Sequence, residues 1–140
     1  MKKIEVKRLN IQQVKAEEIP SLFKTFNVEY HNIDTVDWPE EYPYCPKVEF
    51  GIAHKGNAIM IHYRVNEDSV WAEAGEDLGH VWEDSCCEFF VSHDEKEGYY
   101  NIETNCIGTV LLCNGKSREN RTPAPTAILQ AIDRWTTLGR

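Results

Sequence analysis

Trp82 and four polar residues downstream of it have the types and spacing expected of a binding site. Trp82 precedes an alternating segment that carries Glu88, and the next alternating segment carries Asn101, Glu103 and Asn105. An indole offers a flat apolar surface, while amides and carboxylates accept or donate hydrogen bonds. A sugar ring needs both, because its C–H face is apolar and its edge carries hydroxyl groups. If the two segments pair as antiparallel strands, a polar row lies beside the indole, and this arrangement predicts sugar recognition.

Two strands are predicted to position these side chains. In residues 85–91 the alternation places Glu88 on one face and Phe89 on the other. In residues 99–106 the three polar residues share one face, and Ile102 lies on the opposite face.

The rest of the chain follows the same β pattern. A hairpin is predicted over residues 48–65, with a turn at Gly56, where a positive φ is available to glycine. The other predicted elements are strands at residues 4–9 and 108–113, a helix at residues 17–26, loops at residues 32–47 and 66–79, a polar turn at residues 92–98, and either a helical turn or a strand at residues 127–135.

These elements predict an all-β fold: a jelly-roll-like β-sandwich with an immunoglobulin-like two-sheet architecture and short helical segments, forming one domain over residues 1–140. Six predicted strands are few for two closed layers, and no closing strand precedes Arg140. We therefore expect a domain that is incomplete at its C-terminus, or one whose open sheet edge is covered by a second copy in a homo-oligomer.

The composition restricts the partners. The formal net charge of −8 disfavours nucleic acid, since an acidic surface repels phosphate groups. No apolar run reaches the length of a membrane span, and no signal peptide is visible at the N-terminus. The five cysteines, an odd number, favour reduced thiols. We expect a cytoplasmic location, or a periplasmic or secreted one if translation starts elsewhere.

Residues 48–108 resemble the family 9 carbohydrate-binding modules. The similarity rests on the hairpin, on a Trp separated by five residues from Glu88 and two phenylalanines, and on the polar strand that follows. The resemblance implies a jelly-roll-like sandwich that binds sugar ends between two tryptophans, without catalysis, in carbohydrate catabolism. It assigns stacking to Trp82 and hydrogen bonding to Glu88, Asn101 and Glu103.

The chain departs from this family at the second stacking residue. Trp135 falls too early to match it, and Trp71 in the acidic loop could substitute. Family members can also bind structural calcium, to which Asp68, Glu76 and Asp77 could contribute, although these residues lack EF-hand spacing.

Other functions fit some of the same residues. Glu83, Asp84 and Glu88 could supply the two carboxyl groups of a glycoside hydrolase, but no feature of the sequence seats a substrate between them. His80 and the two adjacent cysteines lack the spacing of a metal site. A sandwich that has lost sugar binding could serve as a protein-interaction module, with Trp82 as an ordinary core residue.

Overall fold

A computed structural model describes residues 3–93 and 98–139, and these residues contain eight strands and two α-helices. The strands are β1 (Lys7–Arg8), β2 (Tyr30–Ile33), β3 (Lys47–His54), β4 (Ile59–Asn66), β5 (Cys86–Val91), β6 (Tyr99–Asn105), β7 (Val110–Gly115) and β8 (Arg121–Pro123). The helices are α1 (Ile19–Thr25) and α2 (Thr126–Gln130), and single 3₁₀ turns form at Ala16–Glu18 and Val81–Glu83.

The chain divides into two compact units, one ending at Asp68 and the other beginning at Ser69. Each unit contains one four-stranded sheet. In the first sheet, β3 pairs in parallel with β1 and antiparallel with β2 and β4. In the second, β5, β6, β7 and β8 follow one another as an antiparallel meander.

An apolar face of the first sheet packs against α1. Pro20 lies in the first turn of this helix, where its fixed φ and missing N–H cost nothing. Phe23 is fully buried together with Ala53 and Met60 of the sheet. A Cβ atom on Gly51 would lie 3.0 Å from the Phe23 ring, so glycine permits the close approach of helix and strand.

Both faces of the second sheet carry apolar residues. On one face, Val81 packs with Leu111 and Cys113. On the opposite face, Val110 and Leu112 pack with Leu129 of α2. Side chains on both faces of β7 are therefore buried. For this reason the strand is a continuous apolar run from Val110 to Cys113 rather than an alternating one.

The predicted all-β, two-sheet fold of the β-sandwich class is confirmed. The hairpin of β3 and β4 is confirmed, as are the strands predicted at residues 85–91, 99–106 and 108–113, with bounds shifted by one or two residues. The helix predicted at residues 17–26 is confirmed as a 3₁₀ turn followed by α1.

The sequence prediction misses the short strands. β2 and β8 are four and three residues long, and they lie in segments with no clear alternation. β1 covers two residues of the six predicted. For residues 127–135, the helical turn is the prediction that the structure bears out, because the first four of them lie in α2 (Thr126–Gln130). Four residues of the turn predicted at 92–98, numbers 94–97, lie outside the described part of the chain.

Within the described ranges, no helix combines the length and the hydropathy needed to cross a membrane.

Candidate functional site

Three polar side chains form a buried row along β6. Asn101, Glu103 and Asn105 keep at most 4% of their surface exposed. They share one face because side chains two residues apart along a strand point the same way. The antiparallel register pairs Glu103 with Glu88 and Asn101 with Phe90 on β5. The structure therefore brings Glu88, Asn101 and Glu103 together on one side of the second sheet.

Asn101 and Glu103 form a directly hydrogen-bonded pair. The Asn101 side-chain amide, Nδ2, donates to Glu103 Oε1 at 2.6 Å. The two remaining side-chain oxygens, Asn101 Oδ1 and Glu103 Oε2, are buried and have no partner among the described residues. Buried acceptors without a donor cost free energy, and they are uncommon in native proteins. Hydroxyl groups of a ligand are donors that could satisfy them.

Glu88 lies opposite Glu103 and is more exposed. Partial burial of its carboxyl group raises the pKa of Glu88, and the negative charge of Glu103 raises it further. The positive charges of Arg121 and Arg118 act in the opposite direction. Glu88 and Glu103 therefore present several hydrogen-bond acceptors. Two arginines at the β8 end of the sheet reduce the electrostatic repulsion between the two carboxylates.

Trp82 lies at the surface rather than in the core. It occupies the 3₁₀ turn Val81–Glu83, in which Val81 is fully buried and anchors the turn on the sheet. The Trp82 side chain remains 47% exposed. The imidazole of His80 stacks on the indole, with ring centroids 4.6 Å apart. The accessible indole offers the flat apolar surface that stacking requires.

Asp84 ties the Trp82 turn to the polar row. Its carboxylate accepts hydrogen bonds from the backbone N–H of Glu73 at 2.8 Å and of Ala74 at 3.1 Å. It also accepts from Asn105 Nδ2 at 2.8 Å. The bond from Glu73 is the main cause that holds the pKa of Asp84 below its usual value, and the bonds from Asn105 and Ala74 add to it. Asp84, which the sequence suggested as a hydrolase carboxyl group, is thus engaged in shaping the loop.

Asn105 differs from Asn101 because both ends of its amide are engaged within the protein. Asn105 Nδ2 donates to Asp84 and to the backbone oxygen of Ala74, while Oδ1 accepts from the backbone N–H of Thr109 at 2.8 Å. These contacts hold the chain reversal after β6 and the loop before β5. Strand periodicity predicts the same ligand role for Asn105 as for Asn101, because it does not distinguish the two amides.

Trp71 is another exposed indole of this unit, with 61% of its surface exposed. Its backbone N–H donates to Ser85 Oγ at 3.1 Å, and its backbone oxygen accepts from the N–H of Ser85 at 2.8 Å. The segment that carries Trp71 is therefore attached to the start of β5, a few residues after Trp82.

Asp77, one of the acidic residues predicted to bind calcium, is engaged by an arginine of its own unit. Both carboxylate oxygens of Asp77 accept hydrogen bonds from Arg134, at 2.7 and 2.8 Å. Asp77 Oδ1 also accepts from the backbone N–H of Val110. No group of three or more potential ligands occurs within residues 3–93 and 98–139. Calcium binding by Asp68, Glu76 and Asp77 stays a prediction.

Cys86, the first of the two adjacent cysteines, does not have an activated thiol. Burial raises the pKa of Cys86 to about 12, and the nearby negative charge of Glu88 adds to this effect. Since the thiolate is the reactive form, the raised pKa makes Cys86 a weaker nucleophile at neutral pH than an ordinary cysteine.

Comparisons with known proteins agree with one another. The sequence matches carbohydrate-binding family 9 over residues 17–140, a range that includes most of both compact units. A crystal structure from Bacteroides uniformis, of a protein considered to bind carbohydrate, superposes with a TM-score of 0.92 at 42% sequence identity. The similarity covers 96% of this chain and 62% of that one, so the present chain spans less than two thirds of its neighbour. No curated protein matches the sequence.

Proposed function

The chain belongs to carbohydrate-binding family 9, and from this membership we propose that it binds a mono- or oligosaccharide, or the end of a polysaccharide, without cleaving it. Two observations carry the proposal. An exposed indole, Trp82, lies on a turn that Val81 anchors to the second sheet. The same sheet carries the acceptor-rich row of Glu88, Asn101 and Glu103. We assign this binding to a role in carbohydrate catabolism.

The accessible contacts of the proposed site are Trp82 and Glu88. A pyranose ring stacks its C–H face on the indole and donates a hydroxyl hydrogen to the Glu88 carboxylate. Asn101 Oδ1 and Glu103 Oε2 are further acceptors without a partner in the described residues. Because both side chains are nearly completely buried, contact with them requires the covering groups to move aside. The acceptor-rich face favours neutral, hydroxyl-rich sugars over acidic ones, since a sugar carboxylate would be repelled by Glu88 and Glu103.

Isothermal titration with glucose, cellobiose and xylobiose tests the assignment. We expect Trp82→Ala to weaken binding about tenfold or more, because loss of a stacking aromatic ring costs on the order of 1–3 kcal/mol. Trp135→Ala is the matched control, since Trp135 is 46% exposed and Trp82 is 47% exposed. Equal affinity of the two variants for every sugar would show that the site lies elsewhere.

A hydrolase is the alternative that Glu88 and Glu103 could support. It requires two carboxyl groups with different pKa values on either side of a glycosidic bond. We expect no turnover of nitrophenyl glycosides by the wild-type protein. Turnover that disappears in Glu88→Gln would contradict the proposal and establish catalysis instead.

A protein-interaction module is the other alternative. Absence of binding to every sugar of a glycan array, together with a stable dimer in solution, would favour it over carbohydrate recognition.

A further inference from the structure

A second aromatic surface lies in the loop between β2 and β3, within the first compact unit. Three aromatic side chains fall within residues 38–44: Trp38 is 66% exposed, Tyr42 69% and Tyr44 54%. We refer to residues 38–44 as the aromatic turn. Single exposed apolar residues are ordinary on a protein surface, but three large aromatic residues so close in sequence mark a candidate contact surface.

The backbone of the aromatic turn has a defined local structure. The N–H of Tyr42 donates to the backbone oxygen of Trp38 at 2.8 Å, and the N–H of Glu41 donates to the same oxygen at 3.2 Å. These bonds close one helical turn. Pro39 suits the first position of such a turn, and Pro43 after it cannot donate a further hydrogen bond. Because the Trp38 oxygen accepts the N–H of Tyr42, the backbones that carry these two aromatic rings lie close together.

The far end of the aromatic turn is attached to the body of the first unit. The Tyr44 hydroxyl oxygen accepts a hydrogen bond from the backbone N–H of Asp68 at 2.8 Å. Asp68 follows β4 by two residues. The turn is therefore closed at one end by its own backbone bonds and fixed at the other by a tertiary contact. This arrangement reduces the ordering cost of holding two aromatic rings ready for a ligand.

Three carboxylates lie next to the aromatic residues in the sequence of this segment. Asp37, Glu40 and Glu41 alternate with the aromatic residues along the chain. Aromatic rings supply stacking surfaces for the C–H face of a sugar, and carboxylates accept hydrogen bonds from its hydroxyl groups. Three rings are too few for a stable protein interface, which buries about 800 Å² on each partner. The negative charge also disfavours phosphorylated and other anionic ligands.

We propose that the aromatic turn is a second carbohydrate contact, in which Trp38 and Tyr42 stack on a neutral saccharide ring and Glu40 or Glu41 accepts its hydroxyl groups. The inference takes its ligand class from the proposed function, but it depends on different residues in a different unit. Its success and that of the Trp82 site can therefore be measured separately.

Indole NMR distinguishes the two surfaces in one experiment. The chain has four tryptophans, so ¹⁵N-labelled protein gives four indole N–H signals, which single substitutions assign. Titration with cellobiose, xylobiose and soluble xylan is expected to shift the Trp38 signal saturably. Tyr42→Ala is expected to weaken this response about tenfold and to leave the Trp82 response unchanged. Tyr100→Ala, at a 40% exposed tyrosine on β6, is the matched control.

Each outcome decides between the two sites. A response of Trp38 that depends on Tyr42 supports the second contact, even if Trp82 does not respond and the proposed Trp82 site fails. A response of Trp82 alone overturns the second contact and leaves the proposed function in place. A Trp38 signal that responds to no sugar, or responds equally in Tyr42→Ala, also overturns it. A Trp38 shift that follows protein concentration without sugar would instead assign the aromatic turn to contact with a second copy of the chain.

Discussion

The inner face of the first sheet buries small and apolar side chains, whereas the site face of the second sheet buries polar side chains of β6 beside the apolar Leu111 and Cys113 of β7. The first face presents Gly51, Ala53 and Met60 to α1. At comparable burial, β6 presents Asn101 and Glu103 in the centre of the second sheet. Apolar burial stabilises in proportion to area, whereas buried polar groups cost free energy unless they are hydrogen-bonded. Burial of Ala53 and Met60 stabilises the fold directly, whereas burial of Asn101 and Glu103 leaves two acceptor oxygens without a donor among the described residues.

The largest expected effect lies in the apolar face. Phe23→Ala removes a fully buried ring from the centre of the first core and should lower the free energy of unfolding by about 3–5 kcal/mol. Urea denaturation followed by circular dichroism measures the loss. Phe90→Ala, at a ring that is 52% exposed, is the control and should cost about 1 kcal/mol or less. Similar costs for both variants would mean that Phe23 does not anchor this core.

The next largest effect concerns the loop that presents Trp82. Asp84→Ala removes three hydrogen bonds to the Asp84 carboxylate and should lower stability by about 1–3 kcal/mol at neutral pH. Because the pKa of Asp84 is lowered in the folded state, its contribution is present above the unfolded value of about 3.9 and is lost as pH falls through the folded value. The difference between wild type and variant should therefore shrink in acid.

Glu73→Ala is the control for Asp84. Its backbone N–H donates to Asp84, but its exposed side chain can be removed without breaking that bond. We expect a change within about 0.5 kcal/mol. A difference between Asp84→Ala and wild type that persists unchanged at low pH would rule out the charged carboxylate as the source of the stabilisation.

Alternation along single strands made much of the fold predictable. β3, β4 and β6 are long enough for period-two patterns to emerge, so the side chains that share each face followed from the sequence. β2 has only four residues, and its extended conformation is fixed by pairing with β3 rather than by its own pattern. A strand of this kind can be predicted only when the strand that it pairs with is known.

The site was predictable to the extent that it depends on strand periodicity. The common face of Glu88 and Glu103 follows from alternation and antiparallel pairing. The role of Asp84 does not, because two of its hydrogen-bond donors are backbone N–H groups of a loop ten and eleven residues earlier in the chain. A carboxylate that accepts backbone N–H groups has no sequence signature outside turns and helix caps.

A double substitution tests why the polar face is kept. Replacing Asn101 and Glu103 together with leucine removes both partners of the buried pair, so the change in stability should stay within about 1 kcal/mol or favour folding. The single substitution Asn101→Leu removes the amide that donates to Glu103. This single variant should therefore be less stable than the double variant. Titration with cellobiose should show loss of binding in both. A large loss of stability in the double variant would mean that the pair serves folding after all, as the apolar face does.

The smallest effect is the pH dependence contributed by Glu88. Because its pKa is raised in the folded state, Glu88 favours folding below its unfolded value of about 4.3, and this contribution is lost as pH rises through the folded value. Glutamine does not ionise, so the Glu88→Gln variant does not lose this contribution as the pH rises. Its stability relative to wild type should therefore increase between about pH 4 and pH 7. Exposure limits the gain to about 0.5 kcal/mol or less. Thermal unfolding across this range measures it, with Glu119→Gln as an exposed control. A variant that instead loses stability towards pH 7 would show that the two arginines outweigh burial and the charge of Glu103 at Glu88.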